Sequence, residues 1–484
     1  MESWGVVVVG AGPAALRAAI ASADSGTLPL MIDESGIGSA SGTPPIAGLA
    51  ASIDELNSSS HREDTISVGG ESTDKAAAAR ACGEAVSTLT ELERWGLVLR
   101  RREGGLPHAA QAPGHSVARL TGCGDSTVRE VTRVLEEQAI KRGVQRRSDL
   151  IPIQLVSDNH QVRGITVFDV LTGETESIQA KAVILATEGH QGLWSSPNNG
   201  PGTGTALALA AGVKLRGMHS TPRHPLTARD CHIHIPFDVL GSGGRIRKEN
   251  GDDVGPEEVL EGEPCVLDLR ALEPEAESWF SQTTSRIKDR LGLDISRDVL
   301  PITYGVAATT GGAPCDEFGR VSFDGYTAEG LPGKLWFSGL YAAGRSANNG
   351  MHGDEVLPGN LMLDDLVSGK AAGNHAAEWA NNAQFGGASE INASSLAASA
   401  RIASFHSQDG WPVGQVAAKL ASSMRGVNGP FDESSRTVAL AGIREIQEAG
   451  IMVTDRSSVM NTELASAIRL EGLVSVAEAI VNSE

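Results

Sequence analysis

The residues best suited to chemistry come at the start of the chain. Val6–Val9 runs into Gly10-Ala11-Gly12-Pro13-Ala14-Ala15, a G-x-G-x-x-A turn between an apolar run and an alanine-rich segment. Such a turn cradles a diphosphate. Gly10 permits the tight bend, Gly12 lets the backbone approach the phosphates, and Ala15 lets helix and strand pack closely. A second apolar run ends in Asp33-Glu34, and Asp33 lies 23 residues past Gly10. That is close to the ~20-residue spacing at which a carboxylate grips a ribose hydroxyl. An acid there favours FAD or NAD over NADP, and the register alone leaves FAD and NAD open.

A second concentration of reactive side chains comprises His219, Arg223, His224, Cys231, His232 and His234, with Arg245 and Arg247 after Gly241-Ser-Gly-Gly244. Imidazoles and guanidiniums beside a redox cofactor supply proton donors and carboxylate clamps. His232 and His234 share a strand face and, with Cys231, are of zinc-ligand type. The preferred reading makes them polar cap residues, with no metal. Arg245 is either a displaced acid or an ordinary surface arginine. His352, just before Gly353, is a candidate to line the cofactor. His115 and Arg119 in "GHSVAR" are candidates to touch substrate.

The elements that must position these residues follow from pattern. At 484 residues the chain exceeds one core, so two or three domains are expected. A net charge of −20 argues against nucleic acid, which needs clustered Lys and Arg. Five scattered cysteines with no C-x-x-C pair fit a reducing cytoplasm and offer no cysteine-held iron–sulfur cluster. No run of ~18 apolar residues exists, so no transmembrane segment is expected. The acidic N-terminus passes directly into a strand, so no signal peptide is expected. Helices are predicted near Asp74–Trp95, Thr127–Lys141 and residues 358–377. Residues 54–74 form a polar excursion, and residues 150–185 alternate as an antiparallel meander ending in the strand Ala182–Leu185. Residues 215–338 resemble an inserted cap, residues 381–399 a linker by composition, and the rest from Arg401 is helical.

These pieces, in this order, resemble the flavoprotein subunit of succinate dehydrogenase and fumarate reductase, a family that includes L-aspartate oxidase. Besides the first turn, the resemblance rests on "HREDT" at 61–65, "TELERWGL" at 90–97, "GHSVAR" at 114–119 and "ILATEG" at 184–189. It continues through "LDLR" at 267–270, "TTGGAPCDEFGRV" at 309–321, "GLYAAG" at 339–344, "HG" at 352–353 and "DRSSVMNTELASAIRLEGLVSVAEAIV" at 455–481. The fold implied is α/β: a Rossmann-type FAD-binding domain (1–218 and 339–380) interrupted by an α+β capping domain (219–338). A linker (381–400) and a C-terminal helical domain (401–484) complete it. The resemblance also implies FAD over NAD, hydride transfer between flavin N5 and a small carboxylic substrate, and an iron–sulfur electron-transfer subunit as candidate partner. Localisation would be cytoplasmic, or peripheral at the inner membrane face through that partner.

Residue by residue, the resemblance places Gly10, Ala11, Gly12, Pro13, Ala14 and Ala15 on the diphosphate. Asp33 and Glu34 fall at the ribose, Ser41 and Thr43 in the loop beneath the flavin, and Ala186 and Thr187 near the adenine half. Gly344 and Arg345 lie by the ribityl chain, and Gly359, Asn360 and Leu361 at the flavin carbonyl. His224, Arg245 and His352 are the catalytic candidates, and His115, Arg119 and His224 the substrate candidates. There are departures. Gly42 stands where the family attaches flavin through histidine, so FAD is expected to be non-covalent, and Arg345 replaces a glutamate. Pro236, Phe237, Leu240, Ala307 and Val356 occupy positions where the family has threonine, glutamate, arginine, histidine and arginine. Three readings stay open: an oxidoreductase for a less charged substrate, a succinate or fumarate enzyme with relocated cations, and a scaffold without turnover. The family continues into an arginine-rich segment that packs back on the flavin domain, whereas this sequence stops at Val481-Asn-Ser-Glu484, so that bracket is expected to be missing or dispensable.

Overall fold

The computed structural model describes residues 2–34, 48–51, 53, 58–101, 105–229, 231, 233–327, 329–407 and 409–483. The four-valine run forms β1 (Ser3–Val9), its last four residues fully buried, as expected for a strand covered on both faces. After the glycine turn come α1 (Pro13–Asp24) and β2 (Leu30–Ile32). Helices α2 (Ser58–Gly69), α3 (Lys75–Arg94) and α4 (Thr127–Lys141) follow. The expected polar excursion at 54–74 thus contains a helix. It scores as loop because its helical face is polar, and it is held by buried polar contacts through His61 and Thr65 rather than by an apolar stripe. Asp74 caps α3 by accepting from the amides of Ala76 and Ala77.

Strands β3 (Gln145–Arg147), β4 (Leu150–Asp158), β5 (Gln161–Asp169) and β6 (Glu174–Leu185) come next, then α5 (Thr203–Ala210). The meander is present as β4–β5–β6, and the strand expected at Ala182–Leu185 is the last third of β6, running parallel to β1. The cap contributes β7 (Arg223–Ala228), β8 (Arg245–Lys248), β9 (Asp253–Val254), β10 (Cys265–Asp268), the helix α6 (Ser281–Leu291) and β11 (Leu300–Val306). Its antiparallel sheet has the order β7-β11-β10-β8-β9 around a core that includes Leu226, Leu267, Phe280, Ile287 and Ile302.

The chain returns through β12 (Arg320–Tyr326) and β13 (Pro332–Ala342) to the helix α7 (Asn360–Asn382). The main sheet has the order β12-β13-β5-β6-β1-β2-β3, with β4 on β5 and β13 also reaching β6. The hairpin β12–β13 therefore belongs to this sheet, although residues 320–338 fall within the range expected for the cap. Helix α7 lies directly on α1. A Cβ on Gly369 would come within 2.5 Å of Ala14 O, and one on Gly373 within 2.1 Å of Ala18 O. This backbone contact fixes the helix that starts at the glycine turn.

The C-terminal helices are α8 (Ala388–Ser407), α9 (Val413–Met424), α10 (Glu433–Ala449) and α11 (Thr462–Val481). Most of the expected linker at 381–400 is thus helix. Its Ser, Asn and Gly content signals loop, yet Ile391 and Ala398 are buried and Thr166 and Ser394 bond their hydroxyls at 2.7 Å. Tertiary packing overrides local preference there.

The cap is joined to the main domain by a buried ion pair. Arg100 Nη2 donates to Asp238 Oδ2 at 3.1 Å, beneath a guanidinium–indole contact of 4.4 Å to Trp279. Burial pushes the Asp238 carboxyl up to about 6 although Arg100 pulls the other way. An unfolded aspartate titrates near ~3.9, so ionised Asp238 is disfavoured in the fold: the penalty is absent below about pH 4, grows between about pH 4 and 6, and is constant above. Asp238→Asn is expected to flatten the dependence of the urea midpoint on pH between about 4 and 6. An unchanged slope would refute this.

Candidate cofactor and substrate site

The glycine turn opens on a crevice of about 600 Å³ between the main domain, the cap and α11. Gly10 sits at φ +129°, and its amide bonds Ile32 O at 2.8 Å. A Cβ there would lie 2.2 Å from Ala186 O, so only glycine fits between β1 and β6. Gly12 differs. It precedes α1 in extended backbone, with no side-chain cap and nothing within 4 Å of a Cβ. Its bareness leaves the first amides of α1 facing the crevice, where the helix end favours an anion.

Around the crevice, Asp33 is buried and held at Oδ2 by Arg146 Nε at 2.7 Å. Glu34 accepts from Arg469 Nε of α11, also at 2.7 Å. The C-terminal helix thus reaches back to the rim of the nucleotide crevice. Arg146 and Arg469 went unnoticed in the sequence, and no spacing rule would have linked Arg469 to a residue 435 positions earlier. Ala186 bonds Val9 O, and the Thr187 amide bonds Ser346 Oγ, both at 2.9 Å, which pins the segment opposite the turn. Ser41 and Thr43 lie outside the described residues.

Beyond the turn the crevice meets a small polar pocket at Gly344, Arg345, His352, Leu361, Asp364 and Asp365. Arg345 Nη1 lies 3.3 Å from Asp365 Oδ2 with both side chains largely buried. His352 is buried, its Nε2 3.3 Å from Asp364 Oδ2 but outside hydrogen-bond geometry. Gly359, at φ +86°, precedes α7 without a side-chain cap, so a second helix N-terminus faces this pocket. Asn360 turns its side chain away: Oδ1 takes a hydrogen bond from His61 Nε2 at 2.8 Å, and Nδ2 donates to Thr65 Oγ1.

The other expected site residues lie elsewhere. His115 bonds Pro358 O through Nε2 at 2.9 Å and accepts from Arg119 through Nδ1 at 3.0 Å. Burial first, then Arg119, lowers its pKa to about 4, so it is neutral at pH 7. Arg119 is fully buried and donates to Asp64 at 2.6 Å and Ser60 at 2.9 Å. Neither lines the crevice. Arg119 reaches α2 through Asp64 and Ser60, and His115 is tied to Arg119 and to Pro358 O. Arg245 is exposed on a cap strand and pairs with Asp253 at 2.9 Å, away from the crevice. His224 is buried, its Nε2 2.7 Å from Ile235 O and its ring against Phe237 with centroids 4.6 Å apart. Burial lowers its pKa to about 4. His234 lines the crevice and meets Thr227 Oγ1 through Nδ1 at 2.9 Å; His232 lies outside the described residues.

The profile of one family, described as FAD binding domain, matches residues 5–362. The chain belongs to the FAD-binding-domain family. It is 26% identical over 519 residues to the fumarate reductase flavoprotein subunit of Haemophilus influenzae, covering 99% of this chain and 86% of that one. It is 25% identical to the succinate dehydrogenase flavoprotein subunit of Rickettsia bellii, over 100% and 88%. A solved Escherichia coli quinol fumarate reductase FrdA variant superposes with a TM-score of 0.90 at 23% identity, covering 99% and 89%. The resemblance read from the sequence holds along 99% of this chain, with its α/β fold and FAD as cofactor. The crevice suits that cofactor. Its volume is within the range of ligand sites, its glycine turn is bare, and its helix end is uncapped. Among the described residues no helix is long and apolar enough to cross a membrane.

Proposed function

We propose that this flavin-dependent oxidoreductase acts on a small carboxylic substrate carrying less charge than succinate. Non-covalent FAD, when bound, supplies hydride acceptance and donation at N5. Gly10–Ala15 and the N-terminus of α1 would hold its diphosphate, Asp33 its ribose, and the N-terminus of α7 would favour negative charge on the reduced ring.

The observation that carries the reading is the state of His224, the one polar residue the resemblance leaves of the family's substrate set. Its Nε2 is committed to Ile235 O, its ring is covered by Phe237, and Ala307 is buried nearby in the chain that follows β11. The adjacent cation, Arg223, acts on Glu355, which burial pushes up to about 7. A dianion placed without matched cations would lose several kcal/mol. His352, with neither ring nitrogen hydrogen-bonded, is the proton carrier this reading favours.

The test uses purified protein with its flavin reduced anaerobically. An artificial electron acceptor is expected to reoxidise the flavin and fumarate is not, and acid precipitation is expected to release the flavin. Fumarate-driven reoxidation at an enzymatic rate would restore the succinate-type reading, and flavin that no acceptor reoxidises would favour the scaffold. An iron–sulfur subunit is the proposed electron partner, on the cytoplasmic side, because the relatives above are named as subunits.

A further inference from the structure

Arg345 and Asp365 stand at the junction of the crevice and the polar pocket, and both line both spaces. They are anchored where the diphosphate would lie. A Cβ built on Gly344 comes within 2.8 Å of Ala14 Cβ in the first turn of α1 and 2.5 Å of Asp365 Oδ1. The guanidinium is only 11% exposed, yet its Nε and Nη1 meet no hydrogen-bond partner, and neither does Asp365 Oδ2. The pair is close enough for charge attraction at 3.3 Å but not oriented to bond. A buried ion pair left this incomplete is poorly compensated for its desolvation.

We propose that Arg345 is the cation for the diphosphate of FAD, and that Asp365 holds it in the cofactor-free protein and takes up a proton when FAD draws it away. This rests on the FAD reading of the crevice. The charged and titratable groups around Asp365 are Arg345 on the turn at 344–346, His352 on the loop before α7, and Asp364 beside it on α7. Before binding, burial raises the Asp365 carboxyl to about 6, with Arg345 opposing and Asp364 adding. A diphosphate adds negative charge and turns the guanidinium towards itself. Both changes favour the protonated carboxyl, so binding takes up a proton above about pH 6 and weakens as pH rises. A neutral acid beside Arg345 leaves the charge balance of the loaded site to the cofactor and the guanidinium alone.

The experiment is calorimetric titration of flavin-stripped full-length protein with FAD at several pH values. Each pH is run in two buffers of different ionisation enthalpy, so that protons bound are read directly. The wild-type chain is expected to take up about half a proton per FAD at pH 6, rising towards ~1 between about pH 7 and 8. Asp365→Asn is expected to bind FAD at least as tightly, with no uptake and a flat pH profile. Arg345→Gln is expected to bind about tenfold or more weakly, as loss of a charge-assisted bond implies, and Arg345→Lys to recover part of that. Uptake that persists in Asp365→Asn would overturn the proposal, and so would Arg345→Gln binding as tightly as wild type. If the wild-type protein binds no FAD at any pH, the cofactor reading itself fails. FAD binding with no proton uptake sinks only the coupling. Circular dichroism of each variant separates a lost site from a lost fold.

Discussion

Gly12→Asp is expected to leave the protein folded and to weaken its FAD binding severely. Gly12 has extended backbone that any residue adopts, and a Cβ there meets nothing within 4 Å. An aspartate before α1 would cap the helix and serve its positive end, so stability should hold or rise slightly. That same carboxylate would occupy the anion position and repel a diphosphate. Affinity should fall by roughly a hundredfold or more, about 3 kcal/mol. The measurement is flavin absorbance of the purified variant beside its thermal midpoint. A normal midpoint with stoichiometric flavin would show that the diphosphate does not lie at this turn. Gly10→Ala makes the contrast. Its Cβ would press into Ala186 O at 2.2 Å and its φ of +129° is strained for alanine, so this variant should lose stability as well as flavin.

Arg119→Ala is the second large effect, and it falls on the fold. Arg119 is fully buried and ties Asp64 and Ser60 of α2 to the His115 loop, which itself bonds Pro358 O ahead of α7. Removing one partner of such a pair strands the other and opens a cavity, at a cost of about 3–5 kcal/mol. Urea unfolding should show a midpoint well below wild type. Replacing Asp64 by Asn in the same chain should recover part of the loss, because less charge is then left without a partner. If Arg119→Ala instead unfolds like wild type and only raises KM, the side chain belongs to the substrate after all.

Legibility differed by residue for physical reasons. The first β–α unit could be read because its signals are local. Buried parallel strands need continuous apolar residues, the turn needs glycine where φ is positive, and the ribose acid sits one strand later. The order of motifs carried FAD and the interrupted architecture. The α8 helix did not read as one, because its serines prefer loops until a sheet offers them hydroxyl partners and burial. The pairing of β12 with β13 in the main sheet was also not legible, since sequence pattern does not say which sheet a strand joins.

By itself the sequence determined that a dinucleotide-type glycine turn opens the chain, and the order of its motifs pointed to FAD. These follow from residue type and short spacing, which local backbone geometry converts directly into structure. Only the tertiary structure decided where the polar candidates ended up. It buried Arg119 and His115 in hydrogen bonds to α2 and to Pro358 O, left Arg245 exposed beside Asp253 and set the ring of His224 against Phe237. It also brought Arg469 to Glu34 and Arg345 to Asp365. A charged side chain reaches several ångströms, and which buried partner compensates its desolvation depends on segments hundreds of residues apart, a choice that no window of sequence contains.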